Sequence, residues 1–254
     1  MSGRLLELHG VSVHFGGLRA LNNVSFSVDA GEVVGLIGPN GAGKTTAFNA
    51  ICGFVPPTTG HVAFPEIGAR NLRPSDLAHR GIARTMQGVG LFPGLTVLEN
   101  IVSGGQNRPA TGVFDALIDS PRARAVEAGA MKDARSYLER FDITEYADAV
   151  PSEIPYGVSK KVSVARALMS SPRLLLLDEP ASGLDESELD EFAGIIRSLR
   201  ETMGILLVEH NMDFVMSLVD RLVVLNFGEV IATGTPDEVR SNQAVIEAYL
   251  GVEQ

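Results

Sequence analysis

The sequence holds 254 residues, 45% of them hydrophobic, with a formal net charge of −10. That length suits one large α/β domain or a domain carrying an inserted subdomain, and the acidic balance argues against a nucleic-acid partner, which a basic excess would serve. A single cysteine, Cys52, excludes an intrachain disulfide, and there is no run of 18 apolar residues to cross a membrane as a helix.

In chain order, the start Met1-Ser2-Gly3-Arg4-Leu5-Leu6-Glu7 lacks the apolar core of a signal peptide, so a cytoplasmic chain is expected, meeting a membrane only through a partner. Residues 4–15 alternate (Leu6, Leu8, Val11, Val13, Phe15), as do residues 24–28, and both stretches predict strands with one buried face. Asp29-Ala30-Gly31-Glu32 reads as a turn, and Val33-Val34-Gly35-Leu36-Ile37 as a short buried strand.

The segment that follows is Gly38-Pro39-Asn40-Gly41-Ala42-Gly43-Lys44-Thr45-Thr46, ahead of the helix-like Ala47-Phe48-Asn49-Ala50-Ile51. Strand, glycine-rich loop, then helix is the context that makes G-x-x-x-x-G-K-[ST] a phosphate site. Glycines let several backbone N–H groups face one anion, and the helix N-terminus adds partial positive charge. Lys44 is expected to neutralise the β- and γ-phosphates of a bound nucleotide, and the Thr45 hydroxyl to ligate Mg²⁺. Cys52, on the same helix, reads as a small core residue.

Further strands are predicted near 60–64 and 82–86, around a short helix near 75–80. Gln87, at the exit of the second, is a neutral amide suited to ligating Mg²⁺ and sensing a γ-phosphate. From 96 to 171 the chain turns helical. Thr96-Val97-Leu98-Glu99-Asn100 opens one helix, and Val126, Ala130, Ala134, Tyr137 and Phe141 mark one face of another. Residues 104–121 interrupt the pattern as an irregular insertion. Lys160 and Lys161 read chiefly as a solvated helix face.

Leu174-Leu175-Leu176-Leu177 reads as a central parallel strand. It runs into Asp178-Glu179-Pro180, placing carboxylates where such sheets bind ligands: Asp178 for Mg²⁺ and Glu179 for polarising an attacking water. Asp185 and Glu188 are suited to capping the amphipathic helix of Leu189, Phe192, Ile195, Ile196 and Leu199. Ile205 to Val208 and Leu222 to Leu225 repeat the buried-strand pattern, and His210 follows the first of these. Residues 1–95 and 172–254 are thus expected to form one α/β unit, with 96–171 a helical insertion.

Taken as an ordered set, these motifs resemble the nucleotide-binding subunit of an ABC transporter, across essentially the whole chain. Walker A is 38–46, the Q-loop is Gln87 and Walker B is 174–179. Ala181-Ser182-Gly183-Leu184-Asp185 resembles the D-loop, and His210 the switch histidine. Phe15 stands where an aromatic stacks on adenine, the alternative being a core strand residue. Ala83 to Gln87, Gly90-Leu91-Phe92-Pro93, Thr96 to Asn100, Val208 to Met212 and Ala248 to Gly251 are similar to the branched-chain amino acid importer type, with a lipopolysaccharide-export ATPase as a near alternative. A soluble ABC ATPase and a small-metabolite kinase are more remote readings.

The resemblance implies a P-loop NTPase (RecA-like) core with an antiparallel β subdomain and an inserted helical subdomain, forming a single ABC ATPase domain. It implies ATP and Mg²⁺ as cofactors and a second ATP-binding subunit, the same or different, as partner. Transmembrane permease subunits near Gln87 and Leu91-Phe92-Pro93 and a substrate-binding protein complete the set, with the chain on the inner face of the cell membrane; the alternative for Leu91-Phe92-Pro93 is a place in the core. One departure stands out: where the family carries LSGGQ, acting in trans on the partner's nucleotide, this chain has Ile154-Pro155-Tyr156-Gly157-Val158. Pro155 replaces the serine and offers neither hydroxyl nor N–H.

Overall fold

The structure, a computed structural model, describes residues 3–85, 88–105 and 121–250. Gln87 and nearly all of the 104–121 insertion lie outside the described residues.

Two sheets divide the strands. β1 (Arg4–Phe15), β2 (Leu18–Asp29), β4 (Thr59–Phe64) and β5 (Ala69–Arg70) form an antiparallel sheet in the order β2-β1-β4-β5. β3 (Val33–Ile37), β6 (Ile82–Arg84), β7 (Leu174–Asp178), β8 (Gly204–Val208), β9 (Arg221–Asn226) and β10 (Glu229–Gly234) form the second, in the order β10-β9-β3-β8-β7-β6. All its neighbours are parallel except the edge hairpin β9–β10.

The continuous apolar runs of the parallel strands serve two cores, because successive side chains leave a strand on opposite faces. Val34, Leu36, Leu174, Leu176, Leu206 and Val208 join β1, β2 and helix α1 (Lys44–Ile51) in one cluster, between the sheets. Val33, Ile37, Leu175, Leu177, Ile205 and Leu207 join the other, beneath the remaining helices.

Those helices are α2 (Val97–Val102), α3 (Pro121–Arg140), α4 (Tyr156–Leu168), α5 (Glu186–Leu199), α6 (Met212–Leu218), α7 (Pro236–Arg240) and α8 (Gln243–Leu250). Thr96 and Glu99 form a reciprocal capping box on α2, and Asp185 and Glu188 form one on α5. On α3, Ala130, Ala134 and Leu138 are buried, with Phe141 just beyond its end. The expected helix near 75–80 is instead two 3-10 turns, Pro74–Asp76 and Ala78–Arg80, in which Asp76 and Arg80 N–H donate three residues back, to Arg73 O and Leu77 O. β6 is Ile82–Arg84, with Thr85 N–H still reaching Leu176 O; the expected strand end at Met86 lies outside the described residues.

Candidate functional site

β3 is buried along its whole length, so the chain leaves the sheet at a fixed point. A Cβ on Gly38 would lie 2.1 Å from Leu225 O, and one on Gly43 2.7 Å from Ala20 O, with φ of +150° and +102°. Neither position admits a side chain, so the loop must be glycine here. α1 then starts at Lys44 with no side-chain cap on its N-terminus, leaving the backbone donors of its first turn to an anion. Lys44 Nζ donates to Gly38 O and Pro39 O at 2.6 and 2.9 Å. Burial pushes its pKa down and the charge of Glu179 pulls it back up.

The loop forms one wall of a cavity of about 390 Å³ that also takes in Phe15, Glu179 and Phe227. Phe15, 51% exposed at the end of β1, is therefore a cavity wall and not a core residue. Two aromatic rings, Phe15 and Phe227, thus share one cavity with the phosphate loop and Glu179.

Glu179 occupies a left-handed backbone conformation, φ 47°, immediately after β7. Its N–H donates to Val208 O at 2.9 Å, and its own carbonyl accepts from Lys160 Nζ at 3.1 Å. Asp178, expected to serve Mg²⁺ directly or through water, stands behind the cavity wall. β8 separates β7 from β3, and the Asp178 carboxylate is not in the cavity wall but buried beside β6, where Arg84 Nη2 donates to it at 3.0 Å. Burial raises its pKa and Arg84 counters that shift. Arg84 also reaches Asn49 Oδ1 and lies over the Phe48 and Phe54 rings, so it joins α1 to β7.

The oxygen donors suit a hard cation. Among the described residues no group of three His, Cys, Asp or Glu forms a cage. A cation here would lean on the Thr45 hydroxyl and on ligand phosphates, as Mg²⁺ does in nucleotide sites.

His210 ends the β8 exit, but its side chain is 60% exposed and lies outside the cavity wall. Its N–H donates to Glu209 Oε2 at 2.9 Å. Glu209, 1% exposed, also takes the Asn211 N–H and, through Oε1, the Ala181 N–H at 2.6 Å. One buried carboxylate thus ties the chain around His210 to the start of Ala181–Asp185.

Ile154 to Val158 lie apart from this cavity. Pro155 is the N-cap of α4, and with Gly157 and Val158 it lines a second hollow of about 180 Å³ shared with Leu184 and Glu188. Gly157 packs so closely on Glu188 that a Cβ would fall 2.2 Å from its carboxylate, and Gly183 likewise meets the Tyr156 ring. Ser182 is half-buried, and its N–H donates to Glu179 O at 3.3 Å. Phe92 is 53% exposed, under Arg166, whose guanidinium holds Gly90 O at 2.8 Å, while Leu91 packs against the helical core.

Lys160 overturns the expectation of a solvated face: it is 5% exposed, turned inward to Glu179. Lys161 pairs with Glu191 at 2.8 Å. Sequence reasoning also passed over Arg84, Glu209 and Phe227. A charge ending an apolar strand was the available signal for the first two; Phe227, in the turn before β10, gave none.

The ABC transporter family model matches residues 21–182, and that of the branched-chain amino acid ATP-binding cassette transporter matches 229–254. The high-affinity branched-chain amino acid transport ATP-binding protein LivG of Salmonella typhimurium is 42% identical, over 99% of both chains. The lipopolysaccharide export system ATP-binding protein LptB of Escherichia coli is 33% identical over 92% of both. A crystallised ATP-binding cassette of an ABC transporter in its ADP conformation superposes with a TM-score of 0.82 at 31% identity, covering 98% of this chain and 99% of that one. A dimeric cassette in a post-hydrolysis state with ADP and Pi gives 0.74 at 25% identity, covering 91% and 99%.

Proposed function

We propose that this chain, which belongs to the ABC transporter family of ATP-binding subunits, hydrolyses ATP to drive import of branched-chain or chemically similar amino acids. The ATPase reading rests on one observation: a single cavity is walled by the phosphate loop, Lys44, Phe15 and Glu179. The cargo rests on the 42% identity to LivG against 33% to LptB, and on the match of residues 229–254.

In this reading the adenine lies against Phe15, and the phosphates lie over Gly41 to Thr46, with Lys44 between the β and γ groups. Thr45 would hold Mg²⁺, with Gln87 and, through water, Asp178 behind it, and the ion would neutralise charge developing on the transferred phosphoryl group. Glu179 orients the attacking water, and His210 reaches the γ-phosphate once its loop moves inward. ATPases of this family act in pairs with membrane permeases. Ile154 to Val158 would then complete the partner subunit's site, with Ser182 to Asp185 at the same seam.

ATP contacts both members of such a pair only in the closed state, and that differential affinity drives closure. Exposed Phe92 is suited to contacting a permease. No helix among the described residues is long and apolar enough to cross a membrane, so the chain would sit on the inner face through its permease, fed by a substrate-binding protein. Pro155, lacking hydroxyl and N–H, favours pairing with a different ATPase chain and two unequal sites.

The test is ATP hydrolysis by the wild type and Glu179→Gln, with size-exclusion chromatography in ATP and Mg²⁺. Turnover by the wild type, with an inactive Glu179→Gln that dimerises on ATP, is the expected result. A wild type that binds no ATP would sink the reading.

A further inference from the structure

Lys160 is nine-tenths buried, yet it makes no ion pair among the described residues; its Nζ is spent on a backbone carbonyl, that of Glu179, at 3.1 Å. A buried ammonium is costly unless its hydrogen bonds are made, so this placement is a specific feature of the packing. The same Nζ lies 5.5 Å from the centroid of the Tyr156 ring. Lys160 therefore sits on the first turn and a half of α4, the helix that begins at Pro155, and touches both Tyr156 and Glu179.

The carbonyl it holds belongs to a residue in a left-handed conformation. A non-glycine residue there is strained and persists only where its surroundings over-determine it. On the sheet side, Val208 O takes the Glu179 N–H, and Glu209 takes the Ala181 N–H. On the helical side the contact is Lys160. The peptide that aims the Glu179 side chain into the cavity is thus pinned between the β8 exit and α4.

We propose that Lys160 is a positioning residue linking the two nucleotide sites of a pair. It fixes the backbone of Glu179 in its own site and ties it to the helix whose start meets the partner's nucleotide. This rests on the ATPase reading above. When the start of α4 engages a nucleotide, any rotation of that helix is delivered through a rigid hydrogen bond to the Glu179 carbonyl. Lys160 itself touches no nucleotide and lies outside the cavity wall.

The experiment compares wild type, Lys160→Met and Lys160→Arg. Methionine keeps most of the apolar stem and removes the donor; arginine keeps a donor. Three quantities are measured: turnover number, equilibrium affinity for fluorescent ADP, and the fraction eluting as dimer in ATP and Mg²⁺. Lys160→Met should lose turnover by about 10- to 100-fold, the range expected when a reacting group is displaced by up to an ångström. Its ADP affinity should stay within about two-fold of wild type, because no group of the phosphate loop is altered. Because closure no longer leads to hydrolysis, the variant should accumulate as an ATP-dependent dimer, as is expected of Glu179→Gln. Lys160→Arg should recover a substantial part of the turnover.

Turnover of Lys160→Met within two-fold of wild type would overturn the proposal. So would a parallel loss of turnover and ADP affinity, which marks a general structural defect. Should Lys160→Met fail to fold, Lys160→Gln, with a shorter donor, takes its place in the same three measurements, and the same two results overturn the proposal. A wild type without turnover would refute the ATPase reading; an active wild type with an indifferent Lys160→Met refutes this link alone.

Discussion

Replacing Glu209 by glutamine changes one oxygen for one NH₂ at nearly constant volume. In the native chain Oε1 accepts from Ala181 N–H at 2.6 Å, and Oε2 from His210 and Asn211 N–H at 2.9 and 3.3 Å, all in a site 1% exposed. Hydrogen bonds to a charged group contribute about 1.5–3 kcal/mol each, and a neutral amide returns roughly half of that. The better orientation of the new amide keeps its oxygen on His210 and Asn211 and turns its NH₂ against the Ala181 N–H. That loses one strong bond, halves two and strands a buried donor, for a total of about 4 kcal/mol at the low end of each range. At an m-value of roughly 2–3 kcal/mol/M, the urea midpoint should fall by about 1.5 M. Because Ala181 is two residues past Glu179, turnover should fall about ten-fold while nucleotide affinity is retained. A midpoint shift below about 0.2 M would show that Glu209 does not clamp the two loops, and the reasoning would fail.

Four further outcomes are expected. Gly38→Ala forces a Cβ to 2.1 Å from the Leu225 carbonyl and should cost on the order of 3 kcal/mol in a denaturation curve and abolish nucleotide binding; retained ATP affinity would contradict the close approach. Phe15→Ala should weaken ATP by about 5- to 100-fold, the value of one base–aromatic stack, and leave tripolyphosphate unchanged in calorimetry; equal losses for both would remove adenine from Phe15. Arg84→Met leaves the buried Asp178 carboxylate without its cation and should lower stability by about 2–4 kcal/mol, which Asp178→Asn in the same chain should partly restore. Cys52 is buried, and desolvation lifts its thiol from 9.0 to about 11. Below pH 9 neither folded nor unfolded thiol is ionised and the stability is whole. As pH climbs from 9 to 11 the unfolded thiol ionises first, so about 2–3 kcal/mol is lost across that window. Native protein at pH 8 should resist a thiol reagent until denatured, and rapid labelling would place Cys52 at the surface.

Much of the site was legible locally because its chemistry is carried by consecutive residues. Gly38 to Thr46 need only a buried strand before them and a helix after, and the apolar runs on either side supply both. The capping residues Thr96 and Asp185 were likewise fixed by a partner three positions on. Phe15 was ambiguous because alternation says which face a residue shares, but not whether that face ends at a core or at a cavity rim.

What the sequence by itself determined is the order of elements, the two-faced burial of the parallel strands and the phosphate loop, since periodicity and glycine placement are properties of neighbours along the chain. Tertiary structure alone decided the rest. Lys160 looked like half of a solvated pair with Lys161; α4 packing on the β7 exit turned one lysine inward and left the other to meet Glu191. Asp178 looked like a free ligand at a strand end; the strand order put Arg84 of β6 beside it. Glu209 carried no reading in the sequence; two loops 28 residues apart made it their common acceptor. Charge carries no periodicity, and a long side chain takes its partner from whatever the fold brings within reach.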